Sequence, residues 1–183
     1  MTRRQPQWQR VDERLLELQA PSAERCSFIM ALSGDVFRSA QALAALDRLI
    51  RNSPFGEAQI YANLFVLVLR DLMRCAEVLV GLGFDLEQAT ADFDVALPDA
   101  KLARDVLSHF DEYRMGCGRL QPEASTPLRI GYQRDGSGIA MSFANPNISL
   151  DLRGALDAAI ALAQAMLNVI HSGTTVSADR EPQ

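Results

Sequence analysis

Residue types that build common functional sites are scarce in this chain of 183 residues. It has two histidines, His109 and His171, which excludes a histidine-rich metal site within one chain. Its cysteines, Cys26, Cys75 and Cys117, form no CxxC pair, and their odd number disfavours a disulfide framework or a zinc knuckle. No glycine-rich phosphate-binding loop and no nucleophile elbow occurs in the sequence. We therefore expect no metal and no cofactor.

Long apolar runs are also missing from the sequence. No stretch of about 18 residues is apolar and free of charge, so we expect no membrane span. The first ten residues, MTRRQPQWQR, lack the apolar segment of a secretory signal. Together with thiols that are expected to be reduced, this pattern favours a cytoplasmic location.

Basic residues are outnumbered by acidic ones. The chain has 18 Lys and Arg against 23 Asp and Glu, a net charge of −5 at pH 7. Proteins that coat nucleic acid through phosphate contacts are usually basic, so a general coating function is disfavoured. A small catalytic groove that contacts a few nucleotides is compatible with this charge.

The composition is that of a globular protein, because 48% of the residues are apolar and 22% are charged. The patterning predicts a single domain over residues 22–171. Residues 1–21 are polar and are expected to form a flexible segment or a short helix. Residues 172–183 are expected to be a disordered tail.

Helical spacing of apolar residues predicts four main helices. The first begins after a Ser22 N-cap and ends at Asn52-Ser53-Pro54, and the second covers about 56–82. The third runs from Pro98 to about Met115, and the last from about Asp151 to His171. A further short helix is expected within 84–97. The predicted apolar stripes are Ile60, Leu64, Leu67, Val68, Leu72, Cys75 and Leu79 on the second helix, and Leu156, Ile160, Ala163, Leu167 and Ile170 on the last.

Between the third and last helices, alternating segments flank Asp135-Gly136-Ser137-Gly138, which predicts a β-hairpin over about 128–143. The predicted fold is therefore mainly α. It is an antiparallel bundle of four to five helices with a β-hairpin inserted before the last helix.

The third helix carries the most specific pattern, Arg104-Asp105-Val106-Leu107-Ser108-His109. Asp105 and His109 are four residues apart, so the carboxylate can reach the imidazole and fix its tautomer. Arg104 and His109 are five apart and diverge by about 140° around one helix. Two such helices that meet across a two-fold axis could direct both groups at one phosphate.

This arrangement resembles the Rx4–6H signature of HEPN domains, in which a polar residue often follows the arginine. HEPN domains are small helical bundles, and many are metal-independent ribonucleases in toxin–antitoxin, abortive-infection and CRISPR systems. The resemblance implies a homodimer with RNA as its substrate and an antitoxin or regulatory protein as a partner. It also implies that His109 is a general acid or base, that Arg104 holds the scissile phosphate and that Asp105 orients His109.

Two other functions compete with this one. A HEPN-like bundle can lose its nuclease activity and serve as a dimerisation or partner-binding module. The acidic stretch 84–112, with eight Asp or Glu against Lys101 and Arg104, suits that interpretation. A third candidate is a helical protein that binds a small ligand, with the hairpin as a lid. A purely structural interpretation is open for the motif as well, in which His109 caps an ion-pair network with Asp105 and Glu112 and Tyr113 belongs to the core.

Overall fold

The computed structural model describes residues 22–115, 117–118, 128–134, 139–144 and 146–173. Six helices and three strands lie within these residues. The helices are α1 (Ala23–Asn52), α2 (Phe55–Gly81), α3 (Glu87–Ala96), α4 (Ala100–Ser108), α5 (Phe110–Arg114) and α6 (Leu152–Ser172). The strands are β1 (Arg129–Arg134), β2 (Ile139–Ala144) and β3 (Ile148–Asp151). The predicted N-terminal segment 1–21 and the predicted tail beyond residue 173 lie outside the described residues.

The long helices begin and end where the sequence predicts. The Ser22 hydroxyl accepts a hydrogen bond of 3.0 Å from the backbone N–H of Arg25, which caps α1. The Asp151 carboxylate accepts backbone N–H groups at the start of α6 in the same way. α6 ends at Gly173, whose φ of 65° is a left-handed conformation that glycine adopts without strain.

The two longest helices, α1 and α2, pack along each other and are joined by Ser53 and Pro54 alone. A connection this short requires antiparallel neighbours. α6 packs against both helices, α3 packs on α6, and α4 packs on α2. The largest fully buried side chains come from these helices and the sheet: Leu43, Ile50, Phe65, Leu69, Leu72, Met73, Leu79, Phe93, Tyr113, Ile139, Met141 and Phe143. One continuous hydrophobic core therefore joins the helices to the sheet.

Buried charged side chains connect the helices through ion pairs and hydrogen bonds. Asp47 on α1 is buried and pairs with Arg51 on the same helix and, at 3.5 Å, with Arg153 on α6. Arg25 at the start of α1 donates a 3.1 Å hydrogen bond to the carbonyl oxygen of Leu82, just beyond the end of α2. These pairs satisfy the buried charges and fix where α1 meets its neighbours.

The predicted apolar stripes are partly wrong. On α2, Ile60, Leu64 and Leu67 are exposed, and the small residues Ala58 and Ala62 are buried in their place. The physical reason is that the alanines let a neighbouring helix approach closely, and the large side chains Phe65, Leu69 and Met73 on the same side of α2 fill the core. The last helix shows the same effect, because its Ile160 is exposed whereas its alanines 155 and 159 are buried.

The two predicted hairpin strands are present as the antiparallel pair β1 and β2, whereas the predicted turn at 135–138 lies outside the described residues. A third strand that was not predicted extends the pair. The sheet order is β1-β2-β3, and both pairs are antiparallel, with Tyr132 opposite Met141 and Met141 opposite Leu150. β3 was missed because it has only four residues and leads directly into α6. The sheet is also tied to the helices by Arg134, whose guanidinium donates to the carbonyl oxygens of Ile50, Arg51 and Ser53 at 2.6–2.9 Å.

The predicted third helix is present, but it is interrupted at one residue. The structure has two helices there, α4 and α5, separated by His109 with φ −119° and ψ 38°. Pro98 precedes α4, and Asp99 is its N-cap residue. Ser108 and His109 have low helix propensity, and α5 is held separately through Tyr113. The Tyr113 side chain is buried, and its carbonyl oxygen accepts a 3.1 Å hydrogen bond from Leu128 N–H.

By length and composition, α6 could cross a membrane, because its most apolar window has a mean hydropathy of 1.3. In this fold the helix is packed against α1, α2, α3 and the sheet. It buries Leu152, Ala155, Leu156, Ala159, Leu162, Ala163 and Met166. The core helix of a globular domain can have the same composition, and in this fold 33% of that stretch is buried.

The three cysteines are free thiols in different surroundings. Cys26 and Cys117 are exposed, and Cys75 on α2 is buried. Burial raises the pKa of the Cys75 thiol to about 11 from 9.0, and the carboxylates of Asp35 and Asp71 add to this shift. The Cys75 thiol therefore keeps its proton at any physiological pH.

The Cys75 shift predicts how stability changes at alkaline pH. Between pH 9 and 11 the unfolded chain loses this proton whereas the folded chain keeps it, so the free energy of unfolding falls as the pH rises. We expect this contribution to be no more than about 3 kcal/mol. Urea unfolding at pH 8, 9, 10 and 11, with reductant present, measures it. The stability difference between wild type and Cys75→Ala should shrink with rising pH, whereas Cys26→Ala should stay parallel to wild type. A constant difference for Cys75→Ala would contradict the prediction.

Candidate functional site

The motif residues lie at the end of α4. Arg104 and Asp105 are in its second half, and His109 is the single residue between α4 and α5. The backbone hydrogen bonds continue through this residue, because its N–H donates to the Asp105 carbonyl oxygen at 3.1 Å and its own carbonyl accepts from Tyr113 N–H at 3.2 Å. His109 is therefore a single residue of non-helical backbone angles within a continuing run of helical hydrogen bonds.

The two predicted catalytic groups have different surroundings. The Arg104 side chain is only 13% exposed, and its Nη2 donates to Asp105 Oδ1 at 3.2 Å. The His109 side chain is 54% exposed, and its Nδ1 lies 3.6 Å from Glu112 Oε1. Among the described residues, Glu112 is the carboxylate beside the imidazole. The HEPN resemblance implied Asp105 in this place, whereas the structural interpretation of the motif named both carboxylates. Asp105 is the partner of the arginine.

Because their surroundings differ, the side chains of His109 and Arg104 can carry out different chemistry. A half-exposed imidazole beside a carboxylate can exchange protons with a bound molecule, and the carboxylate favours one tautomer. The guanidinium is largely covered and its charge is offset by its neighbour, so it can hold a phosphate only by turning away from Asp105. The described residues contain no group of three His, Cys, Asp or Glu side chains that could bind a metal ion.

A groove beside the motif was not predicted from the sequence. It has a volume of about 340 Å³ and is lined by Asn63, Leu67, Leu107, Phe110, Ile130 and Tyr132. Its residues come from α2, the α4–α5 segment and β1, so no local pattern joins them. The helical spacing of Leu107 and Phe110 indicates an apolar face on that segment, but it does not show which elements pack around it.

The polar feature of this groove is a hydrogen bond of 2.8 Å from the Tyr132 hydroxyl to Asn63 Oδ1. Burial raises the pKa of the Tyr132 hydroxyl, although the bond to Asn63 works in the opposite direction. The hydroxyl is therefore neutral at physiological pH and acts as a hydrogen-bond donor. The groove offers a mostly apolar surface with one amide and one phenol in its wall.

A second depression of about 450 Å³ lies between α3 and α6. Alanines 89, 96, 158, 161 and 165 form much of its lining, together with Phe93, Leu162, Gln88 and Asp92. It is an open cleft with few polar groups to orient a ligand. It gives little support to the third candidate function, which calls for a closed apolar pocket away from the motif.

Comparison of the chain with protein-family models, curated proteins and solved structures found no match. A function for this chain is therefore inferred from its own residues. The relevant features are the half-exposed imidazole of His109, the covered guanidinium of Arg104 and the groove next to them.

Proposed function

We propose that this chain is a metal-independent endoribonuclease of the HEPN type that acts in the cytoplasm as a homodimer. One observation carries the proposal: a half-exposed imidazole, His109, stands beside Glu112 at a helix end, five residues after the guanidinium of Arg104. An accessible imidazole is the most versatile proton-transfer group in proteins near neutral pH. A guanidinium is the best side chain for holding a phosphate in a fixed orientation.

The proposed reaction uses the RNA's own 2′-hydroxyl. His109 accepts the 2′-hydroxyl proton while the 2′-oxygen bonds to phosphorus, and the bond from phosphorus to the 5′-oxygen breaks. That 5′-oxygen takes up a proton, from the second copy's His109 or from water. The products are a 2′,3′-cyclic phosphate and a 5′-hydroxyl, and no metal or redox partner is needed. Arg104 stabilises negative charge on the phosphate oxygens, and Asp105 keeps the guanidinium in place until RNA binds.

The proposed fold behind this activity is a HEPN-like antiparallel bundle of four to five helices. The antiparallel pair α1–α2, with α6 packed on both helices, is compatible with that architecture. In chain order, the motif lies in the α4–α5 segment, after that pair and before the last helix. Arg104 and His109 diverge within one chain, and for this reason the active form is proposed to be a dimer. An antitoxin or regulatory protein is the proposed partner, in a defence or toxin–antitoxin context.

The proposal is tested by incubating the purified full chain with a mixed RNA pool in EDTA. We expect cleavage, with fragments whose 5′-hydroxyl ends accept labelled phosphate from polynucleotide kinase without prior phosphatase treatment. Their 3′ ends should resist periodate oxidation until the cyclic phosphate is removed. Intact RNA after long incubation, or fragments with 5′-phosphate ends, would contradict the proposed mechanism.

The second candidate is an inactive HEPN-like module that binds partners. The observation that favours it is the state of Arg104, whose side chain is only 13% exposed and is paired with Asp105. Such a guanidinium serves as a structural group unless RNA displaces the carboxylate. An intact RNA pool combined with a stable dimer in solution would favour this module over the nuclease.

A further inference from the structure

The groove beside the motif is not used by the proposed reaction. Its volume of about 340 Å³ is near the lower end of the roughly 300–1,000 Å³ that is typical of small-molecule sites. Four of its lining side chains pack against the hydrophobic core: Leu107, Phe110, Ile130 and Tyr132. The walls are therefore fixed by the fold before a ligand binds, and the space suits one small group.

The lining of the groove favours the uncharged part of a nucleotide. Among the described residues that line it, none carries a charge, so a phosphate placed there would lose water without gaining a cation. Phe110 and Tyr132 contribute aromatic surface to the walls. Unpaired bases of single-stranded RNA stack on aromatic side chains of this kind. A nucleobase therefore fits the groove better than a sugar or a phosphate does.

Asn63 provides a polar group for the edge of such a base. The Tyr132 hydroxyl donates a 2.8 Å hydrogen bond to Asn63 Oδ1, which fixes the plane of the amide. Asn63 Nδ2 makes no hydrogen bond to any residue that the structure describes, so its N–H groups are left for a ligand. Base edges carry oxygen and nitrogen acceptors that an asparagine amide can bind.

We propose that this groove binds one nucleobase of the RNA, with the base against Phe110 and Tyr132 and its edge on Asn63. Phe110 directly follows His109, so their Cα atoms are about 3.8 Å apart. Because only a ribose separates a base from its own phosphate, a nucleotide held here keeps that phosphate close to the motif. Since the base belongs to the RNA that His109 would cleave, this assignment rests on the proposed function. It adds that cleavage depends on the identity of one base.

The first test measures binding without cleavage. The full chain, with its Ile and Leu methyl groups labelled for NMR, is titrated in EDTA with a short single-stranded 2′-fluoro RNA, which lacks the 2′-hydroxyl nucleophile. Ring currents of a bound base shift nearby methyl resonances, so we expect the largest shifts at Leu67, Leu107 and Ile130. Ile60 and Leu64 are the internal controls, because they are exposed on the same helix as Leu67 but do not line the groove.

The second test removes one aromatic wall. Phe110→Ala should raise the Kd of the 2′-fluoro RNA by roughly fivefold to a hundredfold, the usual effect of losing one base–aromatic stack. Leu64→Ala is the matched control and should leave the Kd within about twofold of wild type. An abasic oligomer with the same number of phosphates should bind both variants and wild type equally, because it has no base to stack.

The third test concerns the base edge. The double variant Asn63→Leu/Tyr132→Phe replaces the hydrogen-bonded pair with apolar groups of similar shape, a change that a fold tolerates better than loss of one partner. Wild type should distinguish 2′-fluoro oligomers of the four bases by their Kd values. The double variant should bind all four within about twofold of one another. Equal affinities for the four oligomers in wild type would contradict the role of Asn63.

Unchanged circular dichroism and Tm establish that each variant folds. Equal Kd values for the RNA and the abasic oligomer would overturn the base-binding groove, as would RNA binding that leaves every groove methyl resonance in place. Groove shifts combined with an intact RNA pool would keep the base-binding groove and reject the nuclease. Cleavage without groove shifts would keep the nuclease and reject the groove assignment, so the two failures are distinguishable.

Discussion

Replacing His109 with alanine is expected to slow RNA cleavage by at least about 100-fold, which is the usual loss when a general acid or base is removed. His109 is the imidazole at the helix end, it is 54% exposed, and its removal leaves no other proton-transfer group of this kind in the motif. Because the side chain is half in solvent, the fold should tolerate the change. The measurement is the initial rate of cleavage of a defined RNA in EDTA, with circular dichroism as the check on folding.

The matched control is His171→Ala. His171 is also exposed and also at a helix end, in the last turn of α6, but it lies outside the proposed site. Its replacement should leave the cleavage rate unchanged. Glu112→Gln keeps the shape of the side chain beside the imidazole and removes its charge, so it should alter the pH profile of cleavage more than it alters RNA binding. Equal activity of His109→Ala and wild type would exclude this residue from catalysis.

In the same assay, Arg104→Lys tests whether Arg104 contributes an oriented contact to the phosphate or only a positive charge. Lysine keeps the positive charge but loses the planar, two-pronged donor set. We expect most of the activity to be lost in this variant, with a smaller effect at low salt where any cation attracts RNA. A fully active Arg104→Lys would assign Arg104 the structural role that its pairing with Asp105 already permits.

Gly118→Ala is expected to lower the free energy of unfolding by about 1–3 kcal/mol. A Cβ atom at this position would lie 2.5 Å from Cδ1 and 2.6 Å from Cγ of the Tyr113 ring, closer than real contacts allow. Tyr113 is buried and cannot move aside without disturbing the core around α5. For a chain of this size the change corresponds to a Tm lowered by roughly 3–10 °C. Thermal and urea unfolding measure it.

Gly56→Ala is the matched control, because Gly56 lies in the first turn of α2 and a Cβ there meets nothing within 4 Å. We expect it to be neutral or stabilising by about 0.4–1 kcal/mol. A double-mutant cycle with Tyr113→Ala isolates the clash. If the ring is the obstacle, Gly118→Ala should cost much less in the Tyr113→Ala background. A cost that is the same in both backgrounds would show that Tyr113 is not the cause.

The sequence predicted the parts of the fold that depend on local chemistry. Ser22 and Asp151 cap the helices that follow them, Asn52-Ser53-Pro54 ends α1, and the short helix within 84–97 is present as α3. Strands β1 and β2 formed at the predicted hairpin because their alternating apolar residues fit one buried face. Each of these features requires only neighbouring residues, so each can be seen without tertiary contacts.

The sequence could not predict which apolar face each helix buries. α2 is apolar over so wide an arc that two different faces could pack, and the face with Ala58 and Ala62 became the core. The choice depends on how closely α1 can approach, which is a property of both helices. Ile60, Leu64 and Leu67 lie on the opposite face and remain exposed, whereas the buried face combines the alanines with large side chains such as Phe65.

Some features of the candidate site likewise follow from local sequence, and others follow only from packing. The sequence by itself determined that Arg104, Asp105 and His109 share one short segment, because their spacing and helical context are local. Tertiary structure decided that the helix breaks at His109, since α5 is held separately by the burial of Tyr113 and its bond to Leu128. It also decided that the imidazole lies beside Glu112 and that a groove from three separate elements adjoins the motif. Sequence spacing fixes which residues can be neighbours on a helix, whereas packing of distant segments fixes which of them are covered, paired or left open to a ligand.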